Sequence, residues 1–429
     1  MLARADPGDE IVLADGVYTG FGDHVLHINR DVTIRALNPS SATLDGQSAR
    51  SVIRISAGVV VLEGLRITRG SCGSRGGDNT HGGGGIWKEV GGTLDIRGCY
   101  IYACSSNRYP GGGLYIEGGQ ANITASHIYS NSAGSYHGNR GGGMSIRSST
   151  VLVVDCKIHS NVVSVPWANN VGGGVFSDNS QLTMIRCDVY SNSVAGSHTG
   201  MHTWGSAVGG RKGAGVYIYG GAADILNSNI YENRALPSAS DLRYHTWVTF
   251  DAWKTSAGGG IYAHSASIQL RHSRIYQNTA LLGAGLYIDG AVYGISSVSI
   301  IDSEVYENTV PDPLRPSVWD QEPFLGPYAQ LMYISTSASV CVLPASIAID
   351  ADVVGSWSAC QPDLLELPPL PEAPPLSSLH LQAIEAITAS TYSPANPPRN
   401  CASDLATSCV LSQSASPWLQ LNLRTSTDV

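Results

Sequence analysis

Aliphatic and polar positions alternate along this chain in short bursts of four to six residues, and the bursts recur. Seven copies come into register on Cys99, Ser126, Cys156, Cys187, Ser228, Ser273 and Ser303. Five residues before each anchor stands Leu94, Ala121, Val151, Leu182, Ala223, Ile268 or Val298. Three before it stands Ile96, Ile123, Val153, Met184, Ile225, Leu270 or Ile300, and two after it Ile101, Ile128, Ile158, Val189, Ile230, Ile275 or Val305. Five after it stands Asn131, Asn161, Asn192, Asn233, Asn278 or Asn308, with Cys104 in the first copy. A glycine run opens each copy: GGGIW, GGGLY, GGGMS, GGGVF, GAGVY, GGGIY, GAGLY. After it Leu114 and Ile116 alternate with Tyr115, the period of a strand with one apolar face.

Each copy therefore predicts three short strands with bends between them. The two residues before each anchor break the period of two and mark one bend. A unit of about 28–31 residues with three strands cannot bury its apolar face alone, so it must stack on copies of itself. The expectation is an all-β right-handed parallel β-helix of about ten coils, with equivalent residues roughly 4.8 Å apart along the axis. The Asn column is expected to be structural, its amides bonding above and below at a bend whose left-handed backbone Asn tolerates. The Cys/Ser column is expected to be packing, with Cys156 and Cys187 a free buried pair, since buried thiols behave as small hydrophobes.

The N-terminal third follows the same grammar more loosely. In VVVLEGLRITRG, residues Val60, Leu62, Leu65 and Ile67 take the same four inward slots, and ADPGDEIVLADGVYTG reads as an opening coil. On these elements residues 5–310 resemble the right-handed parallel β-helix, pectin-lyase-like superfamily. The GGG[ILVM] and [IV]YxN elements are similar to the GGA[ILV] and FxxN repeats of chlamydial polymorphic outer-membrane proteins, with Tyr in place of Phe. The resemblance implies the fold. It does not imply one function, because the superfamily holds lyases, hydrolases, adhesins and proteins with no known activity. It also implies an amphipathic helix sealing the first coil; none is written here, so the N-terminus is expected to be incomplete.

The repeat is expected to end at 310. Residues 311–377 read as an irregular segment ending in the proline-rich linker QPDLLELPPLPEAPPLS, and the spacing of Cys341 and Cys360 permits a local disulfide. Residues 378–429 carry a Cys pair followed by PWLQLNL, which resembles the early part of a discoidin (F5/8 type C) or fucolectin-like jelly roll. The later strands, which hold sugar or calcium in that family, are absent, so no binding residue carries over.

Composition narrows the function classes. The net charge is −9 with 14% charged residues, which gives no electrostatic footprint for nucleic acid. No run of eighteen apolar residues suggests a membrane span, and residues 1–13 lack the apolar core of a signal peptide. The nine cysteines show no CxxC pair. Neither a cofactor nor a metal is expected. Asn122 begins the sequon Asn-Ile-Thr between two inward positions, so it points outward, which suits an extracellular or cell-surface location.

Chemistry is sought in two long insertions at the same bend of adjacent coils, 193–212 and 234–257. Both contain His-Thr-Trp. The candidate ligand-binding residues are His202, Trp204, Arg211, Lys212, His245, Trp247, Trp253 and Lys254, because indole rings beside cations suit an acidic sugar. Packing of the two loops on each other is the competing reading of the same tryptophans. A second candidate is the outward stripe Trp87, Tyr115, Ser145, Phe176, Tyr217, Tyr262 and Tyr287, which could hold a polysaccharide lengthwise, stack only on itself, or be covered by the loops. Glu117, Asp178 and Asp289 read as isolated carboxylates, and no paired-carboxylate signature appears. The preferred function is a non-catalytic adhesive or glycan-binding protein. The alternative is a polysaccharide lyase or hydrolase with its site in the 193–257 loops.

Overall fold

Strands pair in parallel with the equivalent strand one coil away: Leu94 with Ala121, Ala121 with Val151, and Val151 with Leu182. The computed structural model describes residues 5–72, 82–107, 109–134, 139–164, 170–195, 210–236, 256–289 and 296–309, and the backbone of four short strands between 332 and 359. All belong to the unit Met1–Glu366. The segment expected as a jelly roll, 378–429, and the proline-rich linker lie outside the described residues.

Four parallel sheets run along the stack of described residues. The first takes two strands per coil with a bend between them, as in Leu114–Glu117 and Gln120–Thr124. The second has ten strands, from Gly16–Thr19 to Glu304–Tyr306, which gives ten coils. The third has seven, from Ser71–Cys72 to Thr279–Ala280. The fourth has four two-residue strands: Asn139–Arg140, Asn170–Val171, Arg211–Lys212 and Ser256–Ala257. Strands as short as those of the third and fourth sheets carry no readable period, so the pattern predicted three strands per coil. The chain is an all-β right-handed parallel β-helix. Among the described residues no helix is long and apolar enough to cross a membrane.

The aliphatic columns form one continuous core, from Leu13 to Val305. The corners that separate the strands are left-handed. The residue before each Cys/Ser anchor has a positive φ, such as 55° at Asp155 and 52° at Arg186. The residue before each Asn does too, such as 55° at Ser160 and 51° at Ser191. The left-handed position is thus one residue ahead of the Asn expected to occupy it, and the Asn supplies side-chain bonding instead. Each ladder amide from Asn131 to Asn278 donates to the Oδ1 of the next at 2.9–3.1 Å. Each Nδ2 also donates to a backbone carbonyl of the preceding coil, such as Asn192 to Ile158 O at 2.9 Å. Buried N–H and C=O groups at a strand-free corner are satisfied this way.

The Cys/Ser column does the same job at its own corner. Cys99 N donates to Ser126 Oγ at 3.0 Å and Ser126 N to Cys156 Sγ at 3.4 Å. Farther along, Ser228 N donates to Ser273 Oγ at 3.2 Å. Sulfur and oxygen are interchangeable acceptors here. Cys156 and Cys187 are free and buried, as are Cys99 and Cys104.

Two features depart from the pattern. Lys88 occupies an inward slot between Ile55 and Ile116, fully buried. Its ammonium donates to Gly118 O at 2.7 Å, Gly91 O at 2.8 Å and Glu89 O at 3.2 Å, and burial lowers its pKa. The pairing also continues past 310. Met332–Ile334 pairs with Leu286–Asp289, and Ser339–Val342 with Ser297–Ile301. Val353–Val354 and Ser358–Ala359 pair onto those in turn. The stretch between 309 and 332 is long enough to break the sequence period, which is why the repeat reads as ending at 310.

Candidate functional site

The stripe Trp87, Tyr115, Ser145, Phe176, Tyr217, Tyr262 and Tyr287 forms one register row on the outer side of the first sheet. It is roofed over. Every member except Tyr287 is buried, Tyr262 to 1% exposure. Phe176, Tyr217, Tyr262 and Tyr287 stack at 4.9–5.4 Å between centroids. Val171 and Ala257 of the fourth sheet pack against these rings. Cations close the cover: Arg54 lies 4.7 Å from the Trp87 ring, Arg140 5.1 Å from Phe176, and Lys212 Nζ 4.9 Å from Tyr262. The row is a second, aromatic layer of core and not an open groove for a polymer.

This geometry fixes two of the sequence candidates. Arg211 and Lys212 form a strand of the fourth sheet at the end of the long insertion. Arg211 is buried. Lys212 is mostly buried over Tyr262, and desolvation lowers its pKa against the opposing pull of Asp289. The other candidates, His202, Trp204, His245, Trp247, Trp253 and Lys254, lie outside the described residues.

The next outward row is polar: Glu117, Arg147, Asp178, Tyr219, His264 and Asp289. The carboxylates that read as isolated in the sequence share this row. Arg147 lies between two of them, 3.8 Å from Glu117 and 3.9 Å from Asp178, and Arg140 is 3.6 Å from Asp178. Asp289 Oδ2 accepts from Tyr262 Oη at 2.8 Å and pairs with His264 Nδ1 at 3.0 Å. The His264 contact and the Tyr262 hydroxyl hold the Asp289 carboxyl below the usual carboxylate range, while burial works against them. With Nδ1 engaged, His264 keeps Nε2 for another partner. Its ring stacks on Tyr219 at 5.0 Å, within 7° of parallel.

Tyr219 is 44% exposed, and among the described residues its ring has one stacked neighbour. Its neighbour on the other side of the row is Asp178, one coil away. Asp178 and Asp289 are three coils apart in register. At the usual strand spacing that is about 14 Å, beyond the roughly 5–9.5 Å of a glycosidase carboxylate pair. Among the described residues no group of three or more His, Cys, Asp or Glu is placed to hold a metal ion.

The second sheet carries a feature the sequence reading passed over. Three residues after each anchor stand Tyr102, Tyr129, His159, Tyr190, Tyr231, Tyr276 and Tyr306, all half-buried. Their rings stack in series at 4.6–5.2 Å, within 9° of parallel. The signal was visible as the Y of every [IV]YxN element, with His in one copy.

No protein-family model matches the chain, and no curated protein matches it. Among solved structures it is similar to pectate lyase Pel9A at 14% identity and a TM-score of 0.36, covering 83% of this chain and 72% of that one. It is also similar to the Dettilon tailspike protein (gp208) at 13% identity and a TM-score of 0.30, covering 83% of this chain and 63% of that one. The fold assignment rests on the strand register itself.

Proposed function

We propose that this chain is an extracellular or cell-surface β-helix protein that binds a glycan, with the Tyr219–His264 pair as its platform. The observation that carries the reading is the exposure of the Tyr219 ring, stacked on His264 beside charged, hydrogen-bonding neighbours. An aromatic face takes the apolar side of a sugar ring, and polar groups at its rim fix the hydroxyls. Asp178 with Arg140 and Arg147 stands on one side of the pair and Asp289 on the other. The long insertions that carry the expected tryptophans leave and re-enter the helix at the neighbouring third and fourth sheets.

One observation favours the catalytic alternative. Lys212 is an amine held over Tyr262 whose desolvation lowers its pKa against the pull of Asp289, and a positioned amine can take up a proton as a general base. The test addresses both readings. Neutral and uronic-acid oligosaccharides are titrated into the full chain and its Tyr219→Ala and His264→Ala variants, with ultraviolet absorbance followed for unsaturated products. Saturable binding that weakens about tenfold or more in both variants, without new absorbance, supports the glycan-binding reading. New absorbance that disappears in Lys212→Met supports a lyase instead.

A further inference from the structure

The outer face of the second sheet is regular and shares no residue with the site above. Its two outward rows are the stacked ring ladder and a polar row. After Val17 and Thr43 in the first two strands, the polar row reads Arg66, Tyr100, His127, Lys157, Asp188, Asn229, Arg274 and Glu304, and these last eight rungs are the ones that carry charge. Charge along it is divided. The first four of these eight rungs offer Arg66, His127 and Lys157 and no acid. The last four offer Asp188 and Glu304, with Arg274 paired to Glu304 at 3.0 Å. The adjoining corner adds exposed Glu232 and Glu307 to the same acidic half.

About the boundary between the coils of Lys157 and Asp188 this order is charge-complementary at its innermost and outermost rungs, with His127 opposite Asn229 and Tyr100 opposite Arg274 between them. A twofold axis through that boundary maps the Lys157 rung onto the Asp188 rung of a second copy, and the Arg66 rung onto the Glu304 rung. We infer that the second sheet is the interface of an antiparallel homodimer, in which Lys157 of each copy meets Asp188 of the other and the two ring ladders lie side by side. An isologous contact needs this kind of self-complementary surface.

Two further arguments favour a second copy over a glycan. Rings stacked face to face present only their edges, so interior members of the ladder offer no face to a sugar. Tyrosine edges bearing hydroxyls are well suited to a protein interface. The area is adequate as well. Eight rungs at ~4.8 Å, by three strand residues and a corner on each side, make roughly 600 Å² per copy. The total of about 1,200 Å² is at the lower edge of a specific interface.

The experiment is sedimentation velocity on the full chain across a range of concentrations, at low and high salt. Dimerisation that weakens with salt is expected. Lys157→Glu and Asp188→Lys, each checked by circular dichroism for an intact fold, should each weaken the dimer about tenfold or more. An equimolar mixture of the two variants should dimerise again. The glutamate introduced in one variant then meets the lysine introduced in the other, and the native Asp188 of the first meets the native Lys157 of the second. No effect confined within one chain produces that rescue. A wild-type chain that stays monomeric overturns the proposal, as does a wild-type dimer that neither variant weakens or that the mixture fails to restore. A monomer that binds oligosaccharide and loses it in Tyr190→Ala also overturns it, and assigns the ladder to a glycan.

Discussion

The Nδ2 of Asn192 lies 2.9 Å from the point a Cβ on Gly174 would occupy. Gly215 O lies 2.7 Å from the same point. At Gly113, Gly143, Gly174, Gly215 and Gly260 the glycine and the ladder Asn are therefore one device, with the amide seated where a side chain would be. Gly174→Ala is expected to lower unfolding free energy by about 2–4 kcal/mol, through overpacking against a ladder that cannot shift alone. Asn192→Ala should cost a similar amount, since it removes the acceptor of Asn161 and the donor to Ile158 O and Asn233. The double variant should cost less than the sum, because the alanine at 174 gains the space the amide leaves. Chemical denaturation of the four proteins checks the cycle.

The buried thiols are expected to be inert. Burial pushes the thiols of Cys99, Cys104 and Cys187 up to about 12 and raises that of Cys156. The thiolate is the reactive form, so a thiol reagent at about pH 8 should leave these cysteines unmodified until the chain unfolds. Cys156→Ser should cost less than about 1.5 kcal/mol, because serine already fills the same slot at 126, 228, 273 and 303 and its oxygen accepts the same N–H. Rapid labelling of Cys156 or Cys187 in the native protein would contradict the column's packing role.

Acid should loosen the first coils through His24. Burial, then the Arg54 charge, depresses its pKa from 6.5 to about 4. Its Nδ1 is buried without a hydrogen-bond partner among the described residues. The folded state keeps the ring neutral where the unfolded chain binds a proton. Its contribution is thus fully present above pH 6.5 and is lost progressively as pH falls from there to about 4. Thermal unfolding across that window should show a falling midpoint, and His24→Gln should flatten the slope. An unchanged slope would remove His24 from the account.

Lys88 gives a sharper structural test. Its ammonium fills three carbonyl acceptors inside the helix. Lys88→Met keeps the stem but strands those acceptors, at about 1–3 kcal/mol for a buried unpaired group. Relief of the ammonium's desolvation offsets part of this. The expected outcome is a net loss of stability near neutral pH. That loss should grow as pH rises through the lowered pKa of the lysine toward its ordinary 10.5, because there the unfolded wild-type chain binds more protons than the folded one. Denaturant unfolding of both proteins at neutral and alkaline pH checks it. A variant more stable than wild type near neutrality would show that desolvation outweighs the three hydrogen bonds.

Much of this architecture is legible in the sequence because a stacked coil repeats its inward residues. The columns at Leu94, Ile96 and Ile101 and their successors are all core, and the Asn and Cys/Ser corners recur at fixed offsets. What the sequence hid has physical causes. Two-residue strands such as Arg211–Lys212 are too short for a period, so the roof that the fourth sheet lays over the aromatic row has no signature. The polar row of Asp178, Tyr219, His264 and Asp289 has no local motif. It exists only once register places residues from four coils side by side. The ring ladder was written in every [IV]YxN element, but alternation alone does not say which outward rows stay exposed.

The proposed sugar platform is the exposed Tyr219–His264 pair, flanked by Asp178 and Asp289, whereas the ring ladder of the second sheet is proposed to meet a second copy. The most direct measurement is a calorimetric titration of a uronic-acid oligosaccharide series into wild type, Tyr219→Ala and Tyr190→Ala. Binding to wild type and Tyr190→Ala but not to Tyr219→Ala is the predicted result. Equal binding by all three proteins, or its loss in Tyr190→Ala alone, would contradict it.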